Sequence, residues 1–131
     1  MVTAWRDARP SGSADSRVIG QVPICWDPDR DAAVARAHEQ FRWFAGGWGV
    51  NADLPTTHGF ASATQFVRPE DVAASIPCGP SVDAIIEAVK PYWEAGFTHV
   101  ALVQVGDEGQ DRFLAEAAAP ILAALRQAAP A

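Results

Sequence analysis

The chain has 131 residues, 49% hydrophobic and 20% charged, which is the balance of a globular domain with its own core. A formal net charge of −6 at pH 7 disfavours a general electrostatic grip on nucleic acid or anionic lipid. The expected partners are small molecules or other protein surfaces, with no nucleic acid and no membrane. Gly, Pro and charge interrupt every apolar run, and the opening residues MVTAWRDARPSGSADSRV lack the apolar centre of a secretory leader. The two cysteines, Cys25 and Cys78, form neither a disulfide scaffold nor a metal-binding pattern. These features predict a reduced, cytoplasmic protein.

In chain order, residues 1–17 read as a flexible lead-in, with Pro10, Ser11, Gly12 and Ser13 together. The run VIGQVPICW, Val18 to Trp26, is apolar and rich in β-branched residues and predicts a buried strand, although Pro23 removes one ladder donor. A helix is expected next, capped by Asp27, with Pro28 in its first position and Asp29 and Asp31 near its positive end. Its apolar face is Val34, Ala37, Phe41 and Phe44, and Gly46-Gly47 ends it.

Residues 45–67 show no sustained period and read as an excursion with short helical pieces, dense in aromatics around FRWFAGGWG. The aromatic run suits a core or interface role. RPEDVAASI predicts a short helix with Pro69 first, and IPCGP a brief extended stretch before a turn. Val82, Ile85, Ile86, Val89 and Trp93 form one helical face, with Pro91 expected to kink it or end it early. EAGFTHVALVQVG predicts a strand over Phe97 to Val105, apolar on both faces as if covered by helices on each side. In the last helix Phe113, Leu114, Ala117, Ile121, Leu122 and Leu125 are expected inward, with Pro120 dividing it. Alternating strands and helices imply a parallel sheet with crossover helices.

VPICWDPDRDAA, LPTTHGFASATQFV, EDVAASIPCGP and EAGFTHVALVQVG together resemble the C-terminal half of the luciferase-like oxidoreductases. The nearest likeness is to the branch that uses the deazaflavin coenzyme F420 and is similar to the glucose-6-phosphate dehydrogenases. The resemblance covers roughly residues 18–126, and it rests on the order and spacing of the pieces and on no single motif. It implies a TIM (β/α)8 barrel of which residues 18–131 form the last three strand–helix units. Val18–Trp26 would be strand six, Ile76–Gly79 strand seven and Thr98–Val105 strand eight. A complete barrel takes about 250 residues, roughly twice the present length.

The resemblance implies hydride transfer between an organic substrate and F420, with an FMN-dependent monooxygenase of the same superfamily as the alternative. The motifs that supply the family's catalytic histidine and acid have no match here, so the resemblance assigns no catalytic residue. The chain is expected to be inactive alone. It would complete its barrel with a copy of itself or with a missing N-terminal half-barrel. A non-catalytic partner or structural remnant is the rival reading.

Barrel sites gather at the C-terminal ends of strands. There, Trp26, Cys78, Gly79, Gln104 and Gly106 are the candidates to face substrate or cofactor. Four of them have a plainer role. Trp26 would pack at the rim and Cys78 would act as a small buried hydrophobe. Gly79 would serve a turn, and Gln104 would satisfy backbone groups. Of the histidines, His38 is expected in solvent and His99 far from the site, leaving His58 as the one near substrate. The three lack metal-ligand spacing, and no metal is expected. No P-loop, nucleophile elbow or dinucleotide fingerprint is present.

Overall fold

A computed structural model describes residues 2–8 and 16–130. Val2–Asp7 is a short helix, α1, inside the stretch read as a lead-in, while Pro10 to Ser13 lie outside the described residues. β1 (Ile19–Ile24) and β2 (His99–Gln104) pair in parallel, with Ile19 opposite His99 and Ile24 opposite Gln104. Both strands stand where the apolar runs predict them.

Asp29 caps α2 (Arg30–Phe41), accepting from the N–H groups of Asp31 and Ala32. The expected cap, Asp27, instead accepts from the Asp29 N–H at 2.9 Å and pairs with Arg36. A 3-10 turn over Arg42–Gly46 follows, then α3 (Gly47–Asn51) and α4 (Thr57–Ala63), started by Thr56. α5 (Pro69–Ser75) begins at the predicted proline, with Glu70 and Asp71 in its first turn. α6 (Val82–Glu94) is capped by Ser81 and continues through Pro91 without ending there. The last helical region divides at Ala117 into α7 (Gln110–Glu116) and α8 (Ala118–Ala128), so Pro120 falls in the first turn of α8. A proline is tolerated there because a first-turn N–H has no intrahelical acceptor.

Two apolar clusters lie on opposite faces of the sheet. Val22, Ile24 and Trp26 pack with Ile85 and Val89 of α6 and with Phe113, Ile121 and Leu125 of α7 and α8. Cys25 and Val105, next along their strands and therefore turned the other way, pack with Ala33, Ala37, Val72 and Ile76 of α2 and α5. Ile24, Ile85 and Ile121 are fully enclosed, each worth about 1.5–3 kcal/mol over an exposed side chain. Leu114 and Leu122, expected inward, are exposed.

The expected C-terminal half of a barrel is not what forms. Among the described residues the sheet has two strands, and Ile76–Gly79 contributes only one isolated bridge, Cys25 opposite Cys78. That bridge is on the wrong edge for strand seven. The Cys25 N–H donates to Pro77 O and Cys25 O accepts from the Gly79 N–H, whereas Ile24 O accepts from the Val105 N–H. Backbone groups of successive residues point to opposite edges, so β1 lies between Cys78 and β2. A barrel would place Ile76–Gly79 between them.

Pro23 is a physical reason the bridge does not grow. It is the next residue of β1 facing that edge, and it has no N–H to give. Helices on both faces are a second departure, because a barrel keeps its helices outside. The described residues form a small mixed α/β protein with two parallel strands.

The β2 strand is also less covered than its sequence predicts. His99, Ala101 and Val103 are exposed, Val103 at 38%, while Val100 and Leu102 turn toward α6 and α8. One face of the sheet is thus sealed, and the other is sealed only at its C-terminal end.

Candidate functional site

The predicted site residues do gather at the C-terminal ends of the strands, but they mostly hold one another. The Gln104 side chain bonds both backbone groups of Trp26: Oε1 accepts from the N–H at 2.9 Å and Nε2 donates to the carbonyl at 3.0 Å. The Trp26 ring is buried and lies 6.2 Å from that of Phe113, centroid to centroid. It packs in the core with Val22 and Ile24. Gln104 likewise takes the plainer of its two roles.

Beside them runs a charged pair that the sequence did not mark. Arg36 Nη2 donates to Asp27 Oδ2 at 2.8 Å, and both side chains are largely covered. That hydrogen bond, with the Asp29 N–H, holds the Asp27 carboxyl below its usual range. The arginine stem lies against Gly106, whose φ of 100° and lack of a side chain let the two meet. A β-carbon there would strike the Arg36 Cδ. Gln110 donates to the carbonyls of Gln104 and Gly106, closing the loop after β2.

Cys78 is half-buried, and Gly79 turns the chain with φ 98° against Arg30. Burial pushes the Cys78 thiol up to about 11, and it raises Cys25 as well. Neither is an activated nucleophile. His58 is exposed. His38 Nε2 lies 2.8 Å from Val67 O and so ties α2 to the segment before α5, where solvent was expected.

A further open space lies on the uncovered sheet face. A cavity of about 720 Å³ lies between Gln21, Pro23 and Val103 on the strands and Trp43, Phe44 and Trp48 on the segment after α2. Trp43 is the hub of its wall, with Phe41, Phe44 and Phe60 at centroid distances of 4.4, 6.0 and 5.9 Å. Asn51 Nδ2 donates to Trp43 O at 3.1 Å and fixes the turn. On the other side of Trp43 a smaller cavity of about 440 Å³ includes Phe60, Arg42 and Glu39. The dense aromatics of FRWFAGGWG were the sequence signal for this wall, but nothing local showed which surface they would face.

The larger cavity suits a flat apolar ring, since aromatic side chains and a proline offer broad contact at low entropic cost. It does not suit the whole of coenzyme F420. Among the described residues no Lys or Arg lines it, so none of them offers the coenzyme's phosphate a cationic partner there. The one ionisable lining group among the described residues is the Tyr92 phenol, and it donates to Gln21 O at 2.9 Å. No group of three or more His, Cys, Asp or Glu among the described residues could hold a metal. No described helix is long and apolar enough to cross a membrane.

A scan against protein-family models and a search of curated proteins find no match to this chain.

Proposed function

We propose that this chain is the substrate-binding part of an F420-dependent luciferase-like oxidoreductase and that it transfers no hydride by itself. That enzyme class moves a hydride between an organic substrate and the deazaflavin. The observation that carries the reading is the aromatic cavity of Trp43, Phe44 and Trp48 over Pro23 and Val103. It offers stacking and apolar contact without a cation for the coenzyme phosphate or a free acid–base group among its described lining residues. Such a wall holds and orients an organic molecule while other groups supply chemistry. The sequence resemblance adds the reaction class, and the reading does not depend on a closed barrel.

Tryptophan fluorescence titration tests it. A neutral naphthalene-type probe should quench the emission of the native chain, and Trp43→Ala should weaken that quenching. F420 should bind no more tightly than the probe. Micromolar F420 binding with turnover by this chain alone would overturn the proposal, and tight FMN binding would move it to the flavin monooxygenases.

A second reading, association with another chain, is favoured by the uncovered side of β2. No strand pairs with its outer edge among the described residues, and Val103 and Ile19 are exposed. A copy of this chain, or a chain carrying the rest of the oxidoreductase, would cover that edge. Sedimentation over a range of concentrations should show association. A monomer at high concentration with a sharp cooperative melt argues against it.

A further inference from the structure

We propose that Cys25 and Cys78 form a reversible redox pair, oxidised by a low-molecular-weight disulfide to a bond that clamps residues 77–79 onto the end of β1. Four observations support it. The two residues stand directly opposite each other in the parallel bridge, and adjacent strands lie about 4.8 Å apart. That spacing is inside the Cα range of disulfides, roughly 4.4–6.8 Å. Cys25 belongs to the buried cluster of Ala33 and Val72 and the half-buried Cys78 packs against that same cluster, so both side chains leave the sheet on one face. Both thiols are free, and they are the only cysteines in the chain.

The third observation is freedom to adjust. Disulfide β-carbons sit about 3.5–4.5 Å apart, closer than neighbours in a parallel ladder. Residues 77–79 are held to β1 by only two backbone hydrogen bonds, and Pro23 prevents a third below them. This segment can therefore approach β1 without breaking a longer ladder. Cys25 Sγ gives up a weak bond to Val105 O at 3.7 Å and its contact with the Arg36 guanidinium.

The fourth is access. Cys78 lines a cavity of about 520 Å³ with Pro28, Arg30, Pro80 and Ser81, wide enough for a small disulfide, whereas Cys25 is fully enclosed. The order of events follows. The Cys78 thiolate attacks one sulfur of glutathione disulfide, forming a mixed disulfide and releasing one glutathione thiolate, which takes a proton. The Cys25 thiolate then attacks the Cys78 sulfur and expels the second glutathione. Two protein thiols are oxidised to one disulfide, and one glutathione disulfide is reduced to two thiols. The new loop encloses α2 to α5 and with them the whole aromatic wall, so oxidation would limit how far that wall opens.

The experiment uses the native chain incubated with glutathione disulfide at pH 8.5, trapped with maleimide and read by intact mass and peptide mapping. The expected product is a single chain two hydrogens lighter, with Cys25 joined to Cys78. Its melting temperature should rise by roughly 5–10 °C, and cleavage between α2 and α5 by added protease should slow. Cys25→Ser should stop at one glutathione on Cys78. The proposal is overturned if the wild-type chain stops at that mixed disulfide, cross-links between chains, keeps both thiols reactive to maleimide, or forms the internal bond only in urea.

Discussion

Gln104 uses its whole side-chain amide on the backbone of Trp26, accepting from one group and donating to the other at 2.9 and 3.0 Å. The pair ties the C-terminal ends of β1 and β2 together just beyond their ladder. Gln104→Ala leaves two buried backbone groups without partners, a cost of about 1–3 kcal/mol for each. We expect a loss of about 2–4 kcal/mol in urea unfolding, with Gln104→Glu also destabilising because it cannot donate to the Trp26 carbonyl. A stable Gln104→Ala variant with altered ligand binding would instead restore Gln104 to the ligand-facing role.

Gly106→Ala should destabilise by about 1–3 kcal/mol from backbone conformation alone, since φ is 100°. Contact with Arg36 adds to that. In an Arg36→Ala background the contact part disappears and the backbone part remains. Thermal melts of the two single variants and the double variant should therefore be non-additive. Strict additivity would show that Arg36 and Gly106 do not press on one another.

The Asp27–Arg36 pair predicts an acid limb. Hydrogen bonding to Arg36 depresses the folded-state pKa of Asp27, so its contribution is present above the unfolded value of about 3.9. It is lost as pH falls through the folded value. Melting temperature measured from pH 6 down to pH 2 should fall less steeply for Asp27→Asn than for the wild type. Parallel curves would mean that the pair is energetically silent.

Cys78 should be slow to alkylate. With its thiol pushed up to about 11, the thiolate fraction rises about tenfold for each pH unit from 7 to 10. Iodoacetamide labelling of the native chain should follow that slope, and labelling in urea should level off about two units lower. Because this pKa is raised, stability contributed by the neutral thiol is complete below the unfolded value and is lost as pH climbs toward 11.

Elements written in short-range chemistry were legible in the sequence. α5 starts at Pro69, and β1 and β2 follow their apolar runs. The cap of α2 was harder, because DPDRD offers competing carboxylates. Asp27 is drawn to Arg36, nine residues on, leaving Asp29 to cap. Leu114 and Leu122 face outward because the buried stripe is narrow: only Phe113, Ala117, Ile121 and Leu125, each four residues on from the last, turn inward, and the sequence does not show how wide the stripe will be. Strand order escaped as well. Pro23 was visible as a missing donor, but not the edge on which its absence falls. Of the site, Trp26, Gln104 and Gly106 lie at the ends of β1 and β2 while Cys78 and Gly79 sit at an isolated bridge, and the cavity depends on how 42–51 folds back over Pro23 and Val103. That is a tertiary event.

The register that sets Ile19 against His99 has a consequence for how the chain folds. Every rung of the ladder joins residues 80 positions apart, and closing a loop of that length costs roughly 4 kcal/mol in chain entropy before a rung contributes. Helices α6, α7 and α8 can collapse on β2 over much shorter loops. β1 can dock only after the intervening helices have brought it back, so ladder formation should be a late event in refolding. Substitutions in β1 such as Val22→Ala should then speed unfolding while leaving the folding rate almost unchanged.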